Sequence, residues 1–145
     1  MIEIDVPLKL KYKKKAQNFK ERFKYAISES PYIWETLSDM EFTLRDGSKI
    51  TVPAGFETDL CSVPPILSGF MRPYPSTVKA YILHDYLYVN DIRRQEMGDK
   101  ANKKWCDEEM LHQANLINPQ MKIDNKLRYL AVKYFGKKVY KRYAE

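Results

Sequence analysis

The sequence has few cysteines, few histidines and no long apolar run. It contains two cysteines, Cys61 and Cys106, and no Cys-x-x-Cys pair or Cys/His cluster of the kind that binds zinc. Two thiols so far apart predict free cysteines rather than a disulfide framework. No apolar stretch approaches the roughly 20 residues that span a bilayer. These scarcities argue against a zinc module, a disulfide-stapled fold and a transmembrane helix.

Length and composition indicate one globular domain. The chain has 145 residues, of which 44% are hydrophobic and 30% charged, so it is too apolar for a disordered protein. The first residues alternate and then turn basic, whereas a secretory signal is basic first and then continuously apolar. We therefore expect the protein to start in a cytoplasm.

The charge is basic, with a formal net charge of +6 at pH 7. Lysines and arginines cluster at Lys9–Lys15 and at Lys137–Arg142. Such clusters can bind nucleic acid or an anionic membrane surface, but they are more often a solvated face. We take the solvated face as the simpler interpretation and nucleic acid as a weakly supported partner.

Hydrophobic periodicity predicts strands first and helices later. Alternation of apolar and polar residues over Ile2–Tyr12 predicts a strand, and the four-residue spacing of apolar residues over Ala16–Ile27 predicts a helix. A hairpin is predicted next, because apolar residues alternate on two arms, Phe42/Leu44 and Ile50/Val52, around the turn dipeptide Asp46–Gly47. Frequent proline and glycine from Pro53 to Pro75 predict a loop with one helical turn at Ile66–Phe70.

Three helices are predicted in the second half of the chain. One begins at a Ser76 cap and ends near Tyr88, with Val78, Ile82 and either Tyr86 or Leu87 buried. The second is capped by Asp99 and ends near Leu116, with Trp105 and Met110 inward. The third covers about Asn125 to Phe135, with Leu127, Leu130, Ala131 and Tyr134 on its apolar face and Gly136 after it. The expected fold is α+β, a small antiparallel hairpin or sheet followed by about three packed helices.

One histidine lies where a polar side chain is costly. His84 and Asp85 fall inside the predicted apolar helix, and Tyr88 lies one turn on, on the face of His84. A buried carboxylate without partners costs several kcal/mol, so a hydrogen-bond network, a metal ion or a reaction should compensate for it. A satisfied structural network is one interpretation of these residues, and a catalytic site is the other.

Two further polar clusters accompany this helix. The loop before it carries Thr58, Asp59 and Ser62, which either form a turn that holds its own backbone or point into a cleft shared with His84. The next helix begins with Asp99 and Asn102, three residues apart on one face that Trp105 continues. For Asp99, the simple role of an N-cap is favoured.

These clusters, in this order, resemble an uncharacterised family of tailed-phage and prophage proteins. The resemblance rests on a loop that reads Val52-Pro-Ala-Gly-Phe-Glu-Thr-Asp-Leu-Cys-Ser-Val-Pro64, on His84-Asp-Tyr-Leu-Tyr88, on Ala101-Asn-Lys-Lys-Trp105 and on Tyr134-Phe-Gly136. It spans roughly Tyr32 to Tyr140, so residues 1–31 are expected to form a strand-plus-helix extension and residues 32–145 the family domain. This sequence departs from the family in its third motif, where Asn102 stands at the position of the family's acidic residue. Asp99 lies one turn earlier and is the candidate substitute.

The His-Asp-x-x-Tyr string is also similar to phospholipases of the A-two type. That similarity implies His84 as a general base that activates water, Asp85 as a calcium ligand with Asp59 beside it, and Asn102 or Asp99 as the group that orients the ring. Thr58, Ser62, Tyr88 and Trp105 would line the cleft. The glycine-rich, disulfide-linked calcium loop of the secreted enzymes is missing, although the Gly55–Ser62 loop is a candidate substitute.

Two main functions follow as hypotheses, beside a third, a phage factor that binds host nucleic acid or a host protein, which rests only on the basic ends of the chain. The first is a hydrolase assisted by calcium or another divalent cation, acting on an ester or amide of the host envelope or on an anionic membrane. The second is a non-catalytic tail, neck or assembly component that binds other virion proteins, with the Ile2–Tyr12 strand as a docking element. Under either hypothesis, the protein is expected in the cytoplasm of a bacterial host or inside the virion.

Overall fold

The computed structural model of the chain describes residues 7–13, 15–22, 32–58, 78–90 and 94–135, and all structural statements concern these residues. Several predicted features lie outside them: residues 1–6, Asp59, Cys61, Ser62, the Ile66–Phe70 turn, the Ser76 cap, Gly136 and the Lys137–Arg142 cluster. Of the helix predicted over Ala16–Ile27, residues 16–22 are described: residues 16–18 are not helical, whereas residues 19–22 are, and Phe19 is exposed.

Five short strands form two antiparallel sheets. They are β1 (Leu8–Lys13), β2 (Tyr32–Thr36), β3 (Met40–Thr43), β4 (Lys49–Val52) and β5 (Glu57–Thr58). The first sheet has the order β1-β2-β5, and a register shift between Leu10 and Tyr12 marks an irregularity in β1. Periodicity did not predict β2 or β5, because each is short and depends on pairing with a distant segment.

The predicted hairpin is confirmed. β3 and β4 pair from Met40 with Val52 to Thr43 with Lys49. At the turn, Gly47 has φ 87°, and its N–H donates to the carbonyl of Leu44 at 3.0 Å. Asp46 Oδ1 accepts from the Ser48 N–H at 2.9 Å. Glycine suits this left-handed conformation because it has no Cβ.

The loop that follows the hairpin is fastened to β2 through Thr36. The buried Thr36 hydroxyl donates to the Pro53 carbonyl at 2.9 Å and accepts from the Phe56 N–H at 3.0 Å. The Gly55 N–H donates to the Thr36 carbonyl at 2.8 Å, and Gly55 has φ 85°. This fastening sets the direction in which the chain enters β5 and presents Thr58.

Four helices follow the strands, so the α+β prediction is confirmed. They are α1 (Val78–Val89), α2 (Arg94–Met97), α3 (Asp99–Ile117) and α4 (Lys122–Phe135), with a 3-10 turn at Pro119–Met121 before α4. The cap of α3 corrects a prediction, because the N-cap is Gly98 with φ 80° and Asp99 is the first helical residue. In the described part of the chain, no helix combines the length and apolarity needed to cross a bilayer.

The apolar face of α4 was predicted wrongly for two residues. Leu127 is 44% exposed and Tyr134 is 64% exposed, whereas Ala131 is buried as expected. The face that packs inward carries Asn125, Arg128, Tyr129 and Val132. Polar groups there have partners, since the Arg128 guanidinium lies 5.2 Å from the centre of the Tyr81 ring. The inward face therefore includes two polar side chains, Asn125 and Arg128, which the apolar periodicity did not indicate.

Helix α1 occupies the centre of the molecule. On one side it packs against the hairpin, where Phe42, Val52 and Leu83 share a core cluster with Trp105. On the other side it packs against α3 and α4 in a second cluster that includes Tyr81, Met110 and Val132. The inward orientation predicted for Trp105 and Met110 is confirmed.

An ion pair between the partly exposed Arg45 and the buried Glu109 fastens the hairpin to α3. Glu109 is 1% exposed, and its Oε1 accepts from the Arg45 Nε at 2.7 Å. Arg45 also donates from Nη1 to the Glu108 carboxylate at 3.0 Å. Gln113, one turn further along α3, donates to the Thr43 carbonyl at 2.7 Å. The end of the hairpin is therefore held at two levels of the helix.

Candidate functional site

His84 lies on the central helix and is almost completely enclosed. Its exposed fraction is 2%, and eight of the twelve residues of α1 are buried. A helix that is apolar on most sides belongs to the core of its domain, so a polar residue within it is carried inside. The imidazole must therefore find its hydrogen-bond partners within the protein.

The partner of the ring on α3 is a carboxylate. His84 Nε2 and Asp107 Oδ1 are 2.7 Å apart, and Asp107 is 1% exposed. The Tyr88 hydroxyl, one helical turn beyond His84, donates to the same Oδ1 at 2.5 Å. Lys103, one turn before Asp107 on α3, donates to the other carboxylate oxygen at 2.6 Å. Three side chains thus converge on one buried carboxylate.

The charges of this group shift two pKa values in opposite directions. Burial alone lowers the pKa of His84, but the hydrogen bond to Asp107 and the charges of Asp107 and Asp85 outweigh it, and the pKa is raised. Burial alone raises the pKa of Asp107, but the hydrogen bond and charge of His84 and the charge of Lys103 outweigh it, and the pKa is lowered. The pair therefore favours an imidazolium beside a carboxylate.

Asp85 faces the other nitrogen of the ring. Its Oδ1 lies 3.8 Å from His84 Nδ1, which is beyond hydrogen-bond distance but within reach of a bridging atom. Its Oδ2 accepts a hydrogen bond from the buried hydroxyl of Thr58. Thr58 is the last residue of β5, so the loop after Gly55 brings this hydroxyl to the site. The two ring nitrogens of His84 therefore each lie near a carboxylate, Asp107 on α3 and Asp85 on α1.

The structure brings together some of the site residues predicted from the sequence. His84, Asp85, Tyr88 and Thr58 form one connected group, whereas Asp59 and Ser62 lie outside the described residues. Asn102 and Trp105 are both buried on α3, and Trp105 belongs to the core cluster of the hairpin and α1. Asp99 is exposed at the start of α3.

Asp107, which contacts His84 Nε2, was not among the site residues predicted from the sequence. In the sequence it opens the acidic run Asp107-Glu108-Glu109, and such a run usually lies on a solvated face. One signal was available, because Lys103 precedes it by four residues and Trp105 and Met110, both expected inward, lie on either side of it. That signal does not identify the partner of the carboxylate.

Among the described residues, no group of three or more His, Cys, Asp or Glu side chains has an arrangement that could hold a metal ion. Asp85 is the carboxylate at the Nδ1 side of the ring, and carboxylate oxygens are the ligands that calcium prefers. A cation at Asp85 would require further oxygen ligands, for which Asp59 is the candidate from the sequence.

A cavity of about 750 Å³ reaches Asp107 from outside. It lies between the start of α3 and the end of α4, and its lining includes Lys103, Asp107, Tyr129, Lys133 and Tyr134. Burial, together with the charges of Glu108 and Asp107, raises the pKa of the Tyr129 phenol, which stays a neutral donor at neutral pH. The cavity therefore approaches the carboxylate side of the His84–Asp107 pair.

Comparison with known proteins gives a family without an assigned activity. The family model described as "Protein of unknown function (DUF1353)" matches residues 34–132, about two thirds of the chain. The matched segment contains β3 to β5, α1, α3 and most of α4, and thus His84, Asp85 and Asp107. No curated protein and no solved structure matches the chain.

Proposed function

The chain belongs to the DUF1353 family, and we propose that it is a phage-encoded, cation-assisted hydrolase in which His84 is the general base. The observation that carries this proposal is the 2.7 Å contact between His84 Nε2 and Asp107 Oδ1. Above the raised pKa of His84 the ring is neutral, and a neutral imidazole tied to a carboxylate through one nitrogen presents the other as a proton acceptor. The loop Val52–Pro64 and the string His84–Tyr88 resemble the motifs of tailed-phage and prophage proteins, and this resemblance supports a phage or prophage origin.

Asp107 would act as the orienting residue. With a proton on Nε2 directed at Asp107, Nδ1 is the basic nitrogen and faces Asp85. Nδ1 would take a proton from a water molecule as its oxygen attacks the carbonyl of an ester or amide. The same proton would then pass to the leaving group. Tyr88 and Lys103 hold Asp107 in place and compensate for the burial of its charge.

Asp85 would be a cation ligand. Thr58 donates to its Oδ2, and its Oδ1 lies 3.8 Å from His84 Nδ1. A divalent cation there, calcium by the resemblance to A-two phospholipases, would polarise the substrate carbonyl. Asp59 is the second ligand that the sequence offers. This part of the proposal rests on the chemistry of the oxygens and on the motif.

A non-catalytic role is the second candidate, and one observation favours it. His84 is 2% exposed, so its ring is enclosed in a hydrogen-bonded network that would also serve stability alone. Under this alternative the protein is a tail, neck or assembly component, and β1, at the edge of the described sheet, is a docking strand. Fixed copy number in purified virions would support it.

Hydrolysis of phosphatidylglycerol vesicles by the purified chain, with calcium or with a chelator, tests the proposal. We expect fatty acid release with calcium, and a loss of about a hundredfold or more in His84→Gln and in Asp107→Asn. Glu108→Gln is the matched control, since Glu108 adjoins Asp107 but contacts Arg45. Melting curves would verify that each variant folds. Unchanged release in His84→Gln overturns the proposal, and no release by the wild type from lipid or amide substrates favours the second candidate.

A further inference from the structure

Two parallel rows of side chains run along the outer face of α4. One row is apolar and contains Ile123, Leu127 and Tyr134, which are 79%, 44% and 64% exposed. The other is basic and contains Lys122, Lys126 and Lys133, which are all exposed. Each row has the spacing of four and then seven residues that keeps side chains on one face of a helix, and the basic row precedes the apolar row by one residue.

The apolar row cannot turn inward without disrupting the opposite face. Asn125, Arg128, Tyr129 and Val132 are buried on that side. Asn125 donates to Asn115 Oδ1 at 3.1 Å and to the Asn118 carbonyl at 3.3 Å, so the orientation of the helix is fixed by specific contacts. Large apolar side chains are thus held in an exposed line, which in a folded protein marks a surface for interaction.

The basic row is available for an anionic partner. No ion pair among the described residues involves Lys122, Lys126 or Lys133. Lys126 lies over the Tyr129 ring at 4.7 Å and Lys133 over the Tyr134 ring at 5.8 Å, contacts that leave the positive charges uncompensated by a carboxylate. The formal net charge of the whole chain, +6, has the same sign.

We propose that this outer face of α4 docks the protein on an anionic lipid surface. Apolar side chains beside lysines are the arrangement by which amphipathic helices lie in a membrane interface, and tyrosine is enriched at that depth. A second copy of the chain fits less well, because a two-fold interface pairs a patch with itself and would bring the lysine rows together. The inference goes beyond the hydrolytic proposal and does not depend on it.

The cavity beside Asp107 opens at one end of this face. Lys133 and Tyr134 belong both to the rows and to its lining. Docking on a bilayer would therefore set the mouth of the cavity against lipid headgroups. Lys103 and Tyr129 in its lining would then face an anionic headgroup.

Vesicle sedimentation with the full chain tests the docking face, with vesicles of phosphatidylcholine alone or with phosphatidylglycerol. We expect the wild type to bind only the anionic vesicles, and binding to weaken with added salt. Ile123→Ser with Leu127→Ser should lower the apparent affinity by about tenfold or more, since both side chains would lose their place in the interface. Lys126→Glu with Lys133→Glu should do the same.

Matched controls lie on other surfaces. Leu116→Ser removes an apolar side chain that is 62% exposed at the end of α3. Lys20→Glu with Lys49→Glu makes the same change in net charge elsewhere, at exposed positions. Both controls should bind within about twofold of the wild type if the rows on α4 are responsible. His84→Gln should also bind, which separates docking from hydrolysis.

Three results would overturn the docking proposal. They are failure of the wild type to bind phosphatidylglycerol vesicles, equal binding by the Ile123/Leu127 variant, and a loss as large in the controls. Light scattering adds a fourth, namely a dimer of the wild type that the Ile123/Leu127 variant does not form, because the apolar row would then serve a protein interface.

Discussion

His84 of α1 and Asp107 of α3 meet at 2.7 Å, although 23 residues separate them in the chain. The contact joins two helices through buried polar atoms, with Tyr88 and Lys103 completing the coordination of the carboxylate. A buried charge is tolerated when its partners are complete, and removal of one partner leaves the other uncompensated. The pair is therefore both the candidate catalytic element and a point on which stability depends.

Removal of the Asp107 carboxylate should be costly. Asp107→Ala is expected to lower the free energy of unfolding by about 3–5 kcal/mol, because it strands the His84 and Lys103 charges in the interior. Asp107→Asn keeps one oxygen for His84 and Tyr88 but presents an amide N–H2 to Lys103, and it should cost about half as much. Urea denaturation measures both. As a control, Glu108→Ala should cost less than about 1 kcal/mol. A loss below about 1 kcal/mol in Asp107→Ala would show that the pair contributes little.

The pH dependence of stability should reveal the protonation of His84. Because its pKa is raised in the folded state, its contribution is fully present below the ordinary value of 6.5 and is lost as pH rises through the folded value. His84→Gln should therefore destabilise the protein more at about pH 6 than at about pH 9. Melting temperatures of both proteins at each pH give the difference, and an equal cost at both would contradict the expected shift.

Titration of the ring by NMR tests the same shift directly. The midpoint for His84 should lie above the ordinary value of 6.5 in the wild type. In Asp107→Asn it should fall, because the variant loses the charge that favours the imidazolium. The contribution of Asp107 itself has the opposite sign, since its pKa is lowered. That contribution is present above the ordinary value of 3.8 and disappears as pH falls through the folded value.

Local patterns predicted what local forces determine. The hairpin followed from alternation and from Asp46–Gly47, and both act over a few residues. The motif His84–Asp85 indicated a polar site because its place in an apolar helix is visible in the sequence. The β5 strand and the Asp107 partner were missed, because each depends on contacts with segments that are distant in the chain. For α4, periodicity found an apolar row but could not tell that Arg128 and Asn125 would face inward.

The ion pair between the hairpin and α3 should contribute more than a surface pair. Glu109→Ala is expected to cost about 1–3 kcal/mol, since Arg45 Nε loses its buried acceptor while the arginine side chain, 38% exposed, keeps access to solvent. The matched control is Glu41→Ala, because Glu41 pairs with Lys49 at 3.4 Å where both side chains are more than half exposed. That control should cost less than about 1 kcal/mol. Similar costs for the two variants, measured by urea denaturation, would contradict the assignment of Glu109 as a buried clamp.

The backbone conformation of Gly55 should limit substitution within the Val52–Pro64 motif. At φ 85° a side chain is strained, and the nearest atom to an added Cβ is Glu35 Oε1 at 4.0 Å, so the cost comes from the backbone and not from a collision. Gly55→Ala should lower the free energy of unfolding by about 1–2 kcal/mol, and Gly55→Asn by less, because asparagine tolerates the left-handed region. Ala54→Ser, on the exposed neighbour, should change it by less than about 0.5 kcal/mol. If alanine and asparagine at position 55 were both as stable as glycine in urea denaturation, the left-handed conformation would be wrong. The direction in which the loop presents Thr58 to Asp85 would then need another explanation.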